Sequence, residues 1–354
     1  MEALDRALLN IVQTDFPVAA RPYETLASLT GSTEQEAWQR IQFLRREGII
    51  RRLGGVFDSH RLGYKSTLCA AKVQEDKIQI LTDLLMGMPG VTHNYLRNHV
   101  YNIWFTLIAP TQREVEKTLT TIKGIIGTEE VYSLPALRLF KISVDFDFNS
   151  GDTTEDNGDM EGRGEVANLQ RDSGAESMED SSASSLRGSE ILEPYPVDEA
   201  DKSLIRELQG NIPQSLIPFA EIAESLAWPE EKVLARIQSL QRHKVLRRFG
   251  AVLRHQKAGF TANAMGVWQV PEEKAEEIGK IMAAFREVSH CYQRPTLTDW
   301  PYNLFTMIHA RSEEECGEVM VKISRATGIK DYSMLFSIKE LKKSSMQYYR
   351  EEDD

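Results

Sequence analysis

Apolar side chains recur at helical spacing from the start of the chain, where Leu4, Leu8 and then Ile11 or Val12 predict a helix over residues 3–14. A short helix is expected around residues 23–29 and a longer one from Thr33. Thr33 is placed to cap that third helix, with Glu36 at the capping-box position, and Gly48 is placed to end it. The segment IIRRLGGVF (49–57) is strand-like and punctuated by glycine, as the wing of a winged helix-turn-helix would be. Beyond it the pattern reads strand (66–73), helix (76–88), strand (91–97), strand (102–109), helix (112–124) and strand (131–142). That βαββαβ order is ferredoxin-like.

The whole pattern then occurs again. LDRALLNIVQTDFP (4–17) aligns with ADKSLIRELQGNIP (200–213) at an offset of 196, and IIRRLGGVF aligns with VLRRFGAVL (245–253) at the same offset. VTHNYLR (91–97) aligns with VSHCYQR (288–294) at 197, and YNIWFTLIA (101–109) with YNLFTMIHA (302–310) at 201. The second copy therefore carries four extra residues around 297–301, an insertion suited to a loop. A repeat of this length means duplicated domains. The fold class is α+β: two tandem copies of a winged helix-turn-helix (1–62 and 193–258), each followed by a ferredoxin-like αβ domain (63–148 and 259–345). Residues 149–192 are expected to be a disordered acidic linker and residues 346–354 an acidic tail. The linker has almost no large apolar residues to offset its ordering entropy, and as a tether it would let the halves dock on each other.

The formal net charge of −11 changes meaning once it is located. Residues 149–190 hold eleven acids against Arg163, Arg171 and Arg187, and the last four residues add four more negative charges. What remains is nearly neutral, with 39 basic and 38 acidic residues, and lacks the basic excess usual in a DNA-binding domain. No run of eighteen apolar residues suits a membrane span, and MEALDRALLN lacks the pattern of a signal peptide. Cys69, Cys291 and Cys316 lie far apart and form no zinc spacing. A reduced, cytoplasmic, membrane-free protein is expected. No P-loop, GxGxxG, HExxH or GxSxG is present, so nucleotide, zinc-hydrolase and serine-hydrolase chemistries have no support.

The LDxxLLxxxQ opening and the RIxxLxxxGIIRR run resemble the Lrp/AsnC family of amino-acid-responsive regulators over nearly the whole of both copies. That resemblance implies Lrp/AsnC-type domains and raises DNA binding as a function. The third helix argues against it. A recognition helix contacts bases with its first residues, which here are Glu34, Gln35 and Glu36 in one copy and Pro229, Glu230 and Glu231 in the other. These carboxylates suit the helix dipole but repel phosphate, so no DNA partner is expected. Arg51, Arg52, Arg247 and Arg248, on the strands leaving those helices, are placed either to touch a nucleic-acid backbone or to face a ligand cleft between domains.

The element richest in chemistry is His-x-Tyr-x-Arg, present twice: His93, Tyr95 and Arg97, then His290, Tyr292 and Arg294. Period two on a strand puts all three side chains on one face. A face built only for packing would carry Val, Ile or Leu; this one carries a proton donor or acceptor, a phenol and a carboxylate grip. An exposed edge or a polar interface is the structural alternative, and the pattern's appearance in both copies favours function. Aromatic residues follow: Tyr101, Trp104 and Phe105 after His99, and Trp300, Tyr302 and Phe305 after Asp299. Phe105 and Phe305 are expected in the core, Trp300 and Tyr302 at the inserted loop against a ligand. His255 follows the second wing closely enough to reach the same cleft, and His243 is expected to be solvated.

RRLGGVFD, VTHNYLR and YNIWFTL, with RRFGAVLRH, SHCYQRP and DWPYNLFTMIHA, resemble siroheme decarboxylase, the first half one subunit of that heteromeric enzyme and the second half the other. The resemblance implies a carboxy-lyase that removes the C12 and C18 acetate carboxylates of siroheme, giving 12,18-didecarboxysiroheme and carbon dioxide for heme d1 or the alternative heme route. It implies no cofactor beyond the iron tetrapyrrole itself, and singles out no histidine as a ligand to the iron. His93, His290, Tyr95 and Tyr292 would then serve as proton donors. Arg97, Arg294, Arg51, Arg52, Arg247, Arg248, His99, His255, Trp300 and Tyr302 would bind the substrate. The runner-up is an Lrp/AsnC-type ligand-responsive transcriptional regulator, and a third possibility is a heme carrier without turnover. The copies differ, in His99 and in the 296–301 loop, as suits one asymmetric cleft in which the second copy supplies the larger share. Pairing of two such chains into a homodimer is left open.

Overall fold

The structure is a computed structural model that describes residues 2–142, 193–253 and 262–350. The expected linker and His255 lie outside the described residues. The first copy comprises α1 (Ala3–Val12), α2 (Pro22–Thr30), α3 (Glu34–Arg46), β1 (Ile50–Phe57), β2 (Lys65–Ala71), α4 (Glu75–Gly87), β3 (Val91–Arg97), β4 (Ile103–Ala109), α5 (Gln112–Ile126), β5 (Val131–Pro135) and β6 (Arg138–Ile142). The second comprises α6 (Glu199–Leu208), α7 (Pro218–Ser225), α8 (Glu230–Arg242), β7 (Leu246–Leu253), β8 (Ala262–Trp268), α9 (Ala275–Ala283), β9 (Val288–Gln293), β10 (Leu304–Ala310), α10 (Glu313–Thr327) and β11 (Tyr332–Lys343). No helix among the described residues is long and apolar enough to cross a membrane.

Local chemistry explains the helix-turn-helix units. The Thr33 hydroxyl accepts from the Glu36 N–H at 3.2 Å while the Glu36 carboxylate accepts from the Thr33 N–H at 2.9 Å, which satisfies two orphan donors of α3. Gly48 takes φ +67°, and Lys244 occupies the corresponding left-handed position in the second copy at φ +57°. An ion pair on a buried carboxylate fastens the first helix of each unit to the third: Arg40 Nε donates to Asp5 at 2.7 Å, and Arg236 Nε to Asp201 at 2.7 Å.

The two wings pair with each other. β1 and β7 form an antiparallel ribbon centred on Gly54 opposite Gly250. A Cβ on Gly54 would stand 2.1 Å from the Gly210 carbonyl, and one on Gly250 2.4 Å from that of Val12, so only glycine admits the backbone of the other copy this closely. Both units consequently share one apolar core, in which Leu8, Leu9 and Val12 meet Leu204, Ile205 and Phe249. The expected tail beginning at residue 346 is shortened by this core. Met346 and Tyr349 pack against it, and Tyr348 is buried within it, donor or acceptor to Ser59 Oγ at 2.7 Å.

The αβ domains merge into one nine-stranded sheet in the order β5-β2-β4-β3-β11-β8-β10-β9-β6. A single strand was expected over 131–142; instead it breaks after Pro135, whose missing N–H cannot extend the ladder. β5 stays on its own β2, while β6 crosses to pair with β9 of the other copy. β11 does the same without a break, pairing first with β8 and then with β3. Each His-x-Tyr-x-Arg strand is therefore flanked by the last strand of the opposite half. The outermost strands β5 and β6 are joined through residues 136 and 137, so the sheet returns on itself.

Candidate active site

Between the wing ribbon and the sheet lies a cavity of about 1790 Å³, lined from both halves. β3 and β9 turn both rows of His, Tyr and Arg into it, as period two requires. The rows have matching geometry. His93 and Tyr95 stack with ring centroids 6.4 Å apart, His290 and Tyr292 at 6.2 Å, both pairs at 22°. His93 Nδ1 meets the Thr92 hydroxyl at 3.0 Å, and His290 Nδ1 that of Ser289 at 2.9 Å.

The arginines bind the halves together and point charge inward. Arg97 donates to the Leu335 carbonyl of the other copy at 2.8 Å, and Arg294 makes the equivalent bond to the Leu134 carbonyl. Each guanidinium lies over its neighbouring tyrosine, 5.3 Å from Tyr95 and 4.7 Å from Tyr292. The Nε of each is buried with no hydrogen-bond partner among the described residues, a costly state. Burial lowers both guanidinium pKa values to about 10, which still leaves them charged at neutral pH. Arg51, Arg52, Arg247 and Arg248 also line the cavity. Backbone carbonyls hold Arg52 (Gln209, 2.7 Å) and Arg248 (Gln13).

The cavity's charge is one-sided. Its described lining holds Arg51, Arg52, Arg61, Arg97, Arg138, Lys141, Lys244, Arg247, Arg248, Arg294 and Lys343, against the single carboxylate of Asp58. Such a field lowers the pKa of any imidazole within it. His93 keeps surface open to the cavity yet lies deep in the protein, and its pKa falls to about 4, by burial first and then by Lys343 and Arg51. Burial raises the phenols of Tyr95 and Tyr292, so both are protonated donors at neutral pH.

Three expected ligand contacts lie elsewhere. His99 accepts from the Tyr101 N–H at 3.1 Å and packs edge-on against Trp300 at 5.4 Å, outside the cavity lining. Trp300 is only 2 % exposed, and it packs on Trp104 at 5.2 Å and Tyr302 at 5.1 Å. The inserted loop folds back on itself through the Leu297–Trp300 bridge, which delivers the indole to the core. Tyr302 is likewise absent from the lining. Phe105 and Phe305 are core residues, as expected, and also reach the cavity wall.

His309 and Lys343 were missed. Both line the cavity, and His309 falls to a pKa of about 4 through burial, Lys343 and Arg97. The signal was in the repeat itself, because YNLFTMIHA places His309 where YNIWFTLIA has Ile108.

Comparison with known proteins agrees with this construction. A family model for the AsnC-like ligand binding domain matches residues 61–141 and 257–342, and one for the siroheme decarboxylase NirDL-like HTH domain matches 5–51 and 201–247. The siroheme decarboxylase of Hydrogenobacter thermophilus is 35 % identical over 346 residues, 98 % of this chain and 95 % of that protein. The siroheme decarboxylase alpha subunit of Desulfovibrio desulfuricans is 50 % identical over 146 residues, covering 41 % of this chain and 84 % of the subunit. Among solved structures, the siroheme decarboxylase NirDL in co-complex with an iron-uroporphyrin III analogue superimposes with a TM-score of 0.71 at 31 % identity, over 99 % of this chain and 95 % of that one.

Proposed function

This chain belongs to the siroheme decarboxylase family, and from that premise we propose that its cavity binds siroheme and removes the C12 and C18 acetate carboxylates. The observation that carries the reading is the charge imbalance of the cavity: among its described lining residues eleven basic side chains face one acid, in a protein whose overall charge is −11. The volume exceeds the roughly 300–1,000 Å³ of ordinary small-molecule sites, in keeping with a macrocycle rimmed by carboxylates. Arg97, Arg294, Arg51, Arg52, Arg247 and Arg248 anchor that rim, each charge-assisted contact contributing about 1.5–3 kcal/mol.

In the chemical step the bond between an acetate methylene and its carboxylate carbon breaks. Carbon dioxide leaves, and the electron pair stays on the methylene and spreads into the macrocycle. A proton then completes a methyl group. His93 and His290, each stacked on a tyrosine in the two rows, deliver it as general acids, with Tyr95 and Tyr292 as the phenolic alternatives. Neutral at its lowered pKa, His93 gains a proton when the substrate's carboxylates offset the surrounding cations. The iron tetrapyrrole is the substrate, and the scheme uses no further cofactor.

The wing arginines face this cavity and the recognition helices present carboxylates, so the proposal includes no DNA partner. Anaerobic incubation with siroheme tests the reading: the product is expected to be lighter by two carbon dioxide units. Bound siroheme of unchanged mass after many hours would overturn it in favour of a carrier. Tight, salt-sensitive binding to one promoter fragment would instead restore a regulator.

A further inference from the structure

The two ends of the cavity are related by the repeat but are not alike. Beside His93 the neighbouring strand places Lys343; beside His290 the corresponding strand places Ile142. Opposite Tyr95 stands Glu340, whose carboxylate lies 3.7 Å from the Lys343 ammonium, and opposite Tyr292 stands Leu139. Thr106 pairs with His93 and Met307 with His290. His309, whose repeat partner is Ile108, lies close enough to Arg97 and Lys343 to feel both charges. All of these except Glu340 and Leu139 sit on equivalent lining positions, and Leu139 lines the cavity too. Among the described residues, the positions around His93 are thus ionic and the corresponding ones around His290 aliphatic, although both ends carry the same His-Tyr-Arg row.

Resting on the siroheme reading above, we infer that Lys343, with His309 beside it, is the specificity determinant that orients the substrate, holding a carboxylate at the His93 end so that one acetate is lost before the other. A carboxylate paired with an ammonium is stabilised as the anion. One beside Ile142, Ile108 and Met307 has no ammonium at those positions and is less stabilised as the anion, and loss of carbon dioxide relieves its desolvation. The first bond to break is therefore at the His290 end, and a single monodecarboxylated isomer precedes the final product. Lys343 acts by positioning the ring and touches no reacting bond.

The test is rapid-quench turnover of the full chain with siroheme, separating the two monodecarboxylated isomers. The wild type is expected to give one isomer in at least tenfold excess. Lys343→Ile should bring the ratio near parity, Lys343→Arg should keep the wild-type preference, and Lys343→Ile with Ile142→Lys should invert it. Equal isomers from the wild type, both acetates lost with no single intermediate at any quench time, or an unchanged ratio in Lys343→Ile would each overturn the inference while leaving the enzyme reading intact. A wild type that binds siroheme without any loss of mass would overturn the enzyme reading instead, and the inference with it. Should Lys343→Ile fail to fold, Ile142→Lys alone still decides: it must erode the preference, and a ratio equal to wild type refutes the proposal.

Discussion

The guanidinium of Arg97 donates to the main-chain carbonyl of Leu335, 238 residues further along the chain, at 2.8 Å. Arg294 repeats the bond to Leu134 from the opposite direction. These two contacts make the cavity a property of the paired halves. Each arginine is held by the half it does not belong to.

Removal of either arginine should weaken substrate binding first. For Arg294→Ala, loss of one charge-assisted contact of about 1.5–3 kcal/mol corresponds to roughly a 10- to 150-fold rise in Kd. Titration with siroheme under anaerobic conditions measures it. A kcat that falls as far as affinity does would place Arg294 in the chemical step.

The histidines should show the opposite split. His93→Ala and His290→Ala are expected to slow turnover by about 10²–10⁴-fold with little change in Kd. Single-turnover rates at saturating siroheme decide, and wild-type rates in both variants would move the proton donor elsewhere in the cavity.

The depressed imidazoles predict a pH dependence of stability. His93 and His309 fall from 6.5 to about 4 in the folded protein. Between those values the unfolded chain binds more protons, so stability is full above pH 6.5 and declines as pH falls toward 4. Thermal midpoints measured across this window should drop less steeply in His309→Asn than in the wild type. Siroheme, bringing negative charge, should raise the same pKa values. Calorimetry at pH 6 in buffers of different ionisation enthalpy should then report net proton uptake on binding.

Gly250→Val should separate the wings. The added Cβ meets the Val12 carbonyl at 2.4 Å, a backbone atom that cannot swing aside. A cost of about 1–3 kcal/mol is expected from such overpacking, read as a lower denaturation midpoint. An equal midpoint would mean that the ribbon is not needed to join the helix-turn-helix units.

Much of this protein was legible because its information is local and written twice. Hydrophobic spacing located the helices, Thr33 and Glu36 marked a cap, and period two placed His, Tyr and Arg on one face. The repeat then showed which of these recur. Trp300 could not be placed this way, because whether a loop indole meets ligand or core depends on where four inserted residues fold back. The crossing of β6 and β11, the pairing of Gly54 with Gly250 and the meeting of Lys343 with His93 join residues that no local pattern connects. Tertiary structure alone decided them, because a strand's edge satisfies its hydrogen bonds equally well with either half. Burial of the shared core selects the partner, and with it the charge that gathers around each histidine.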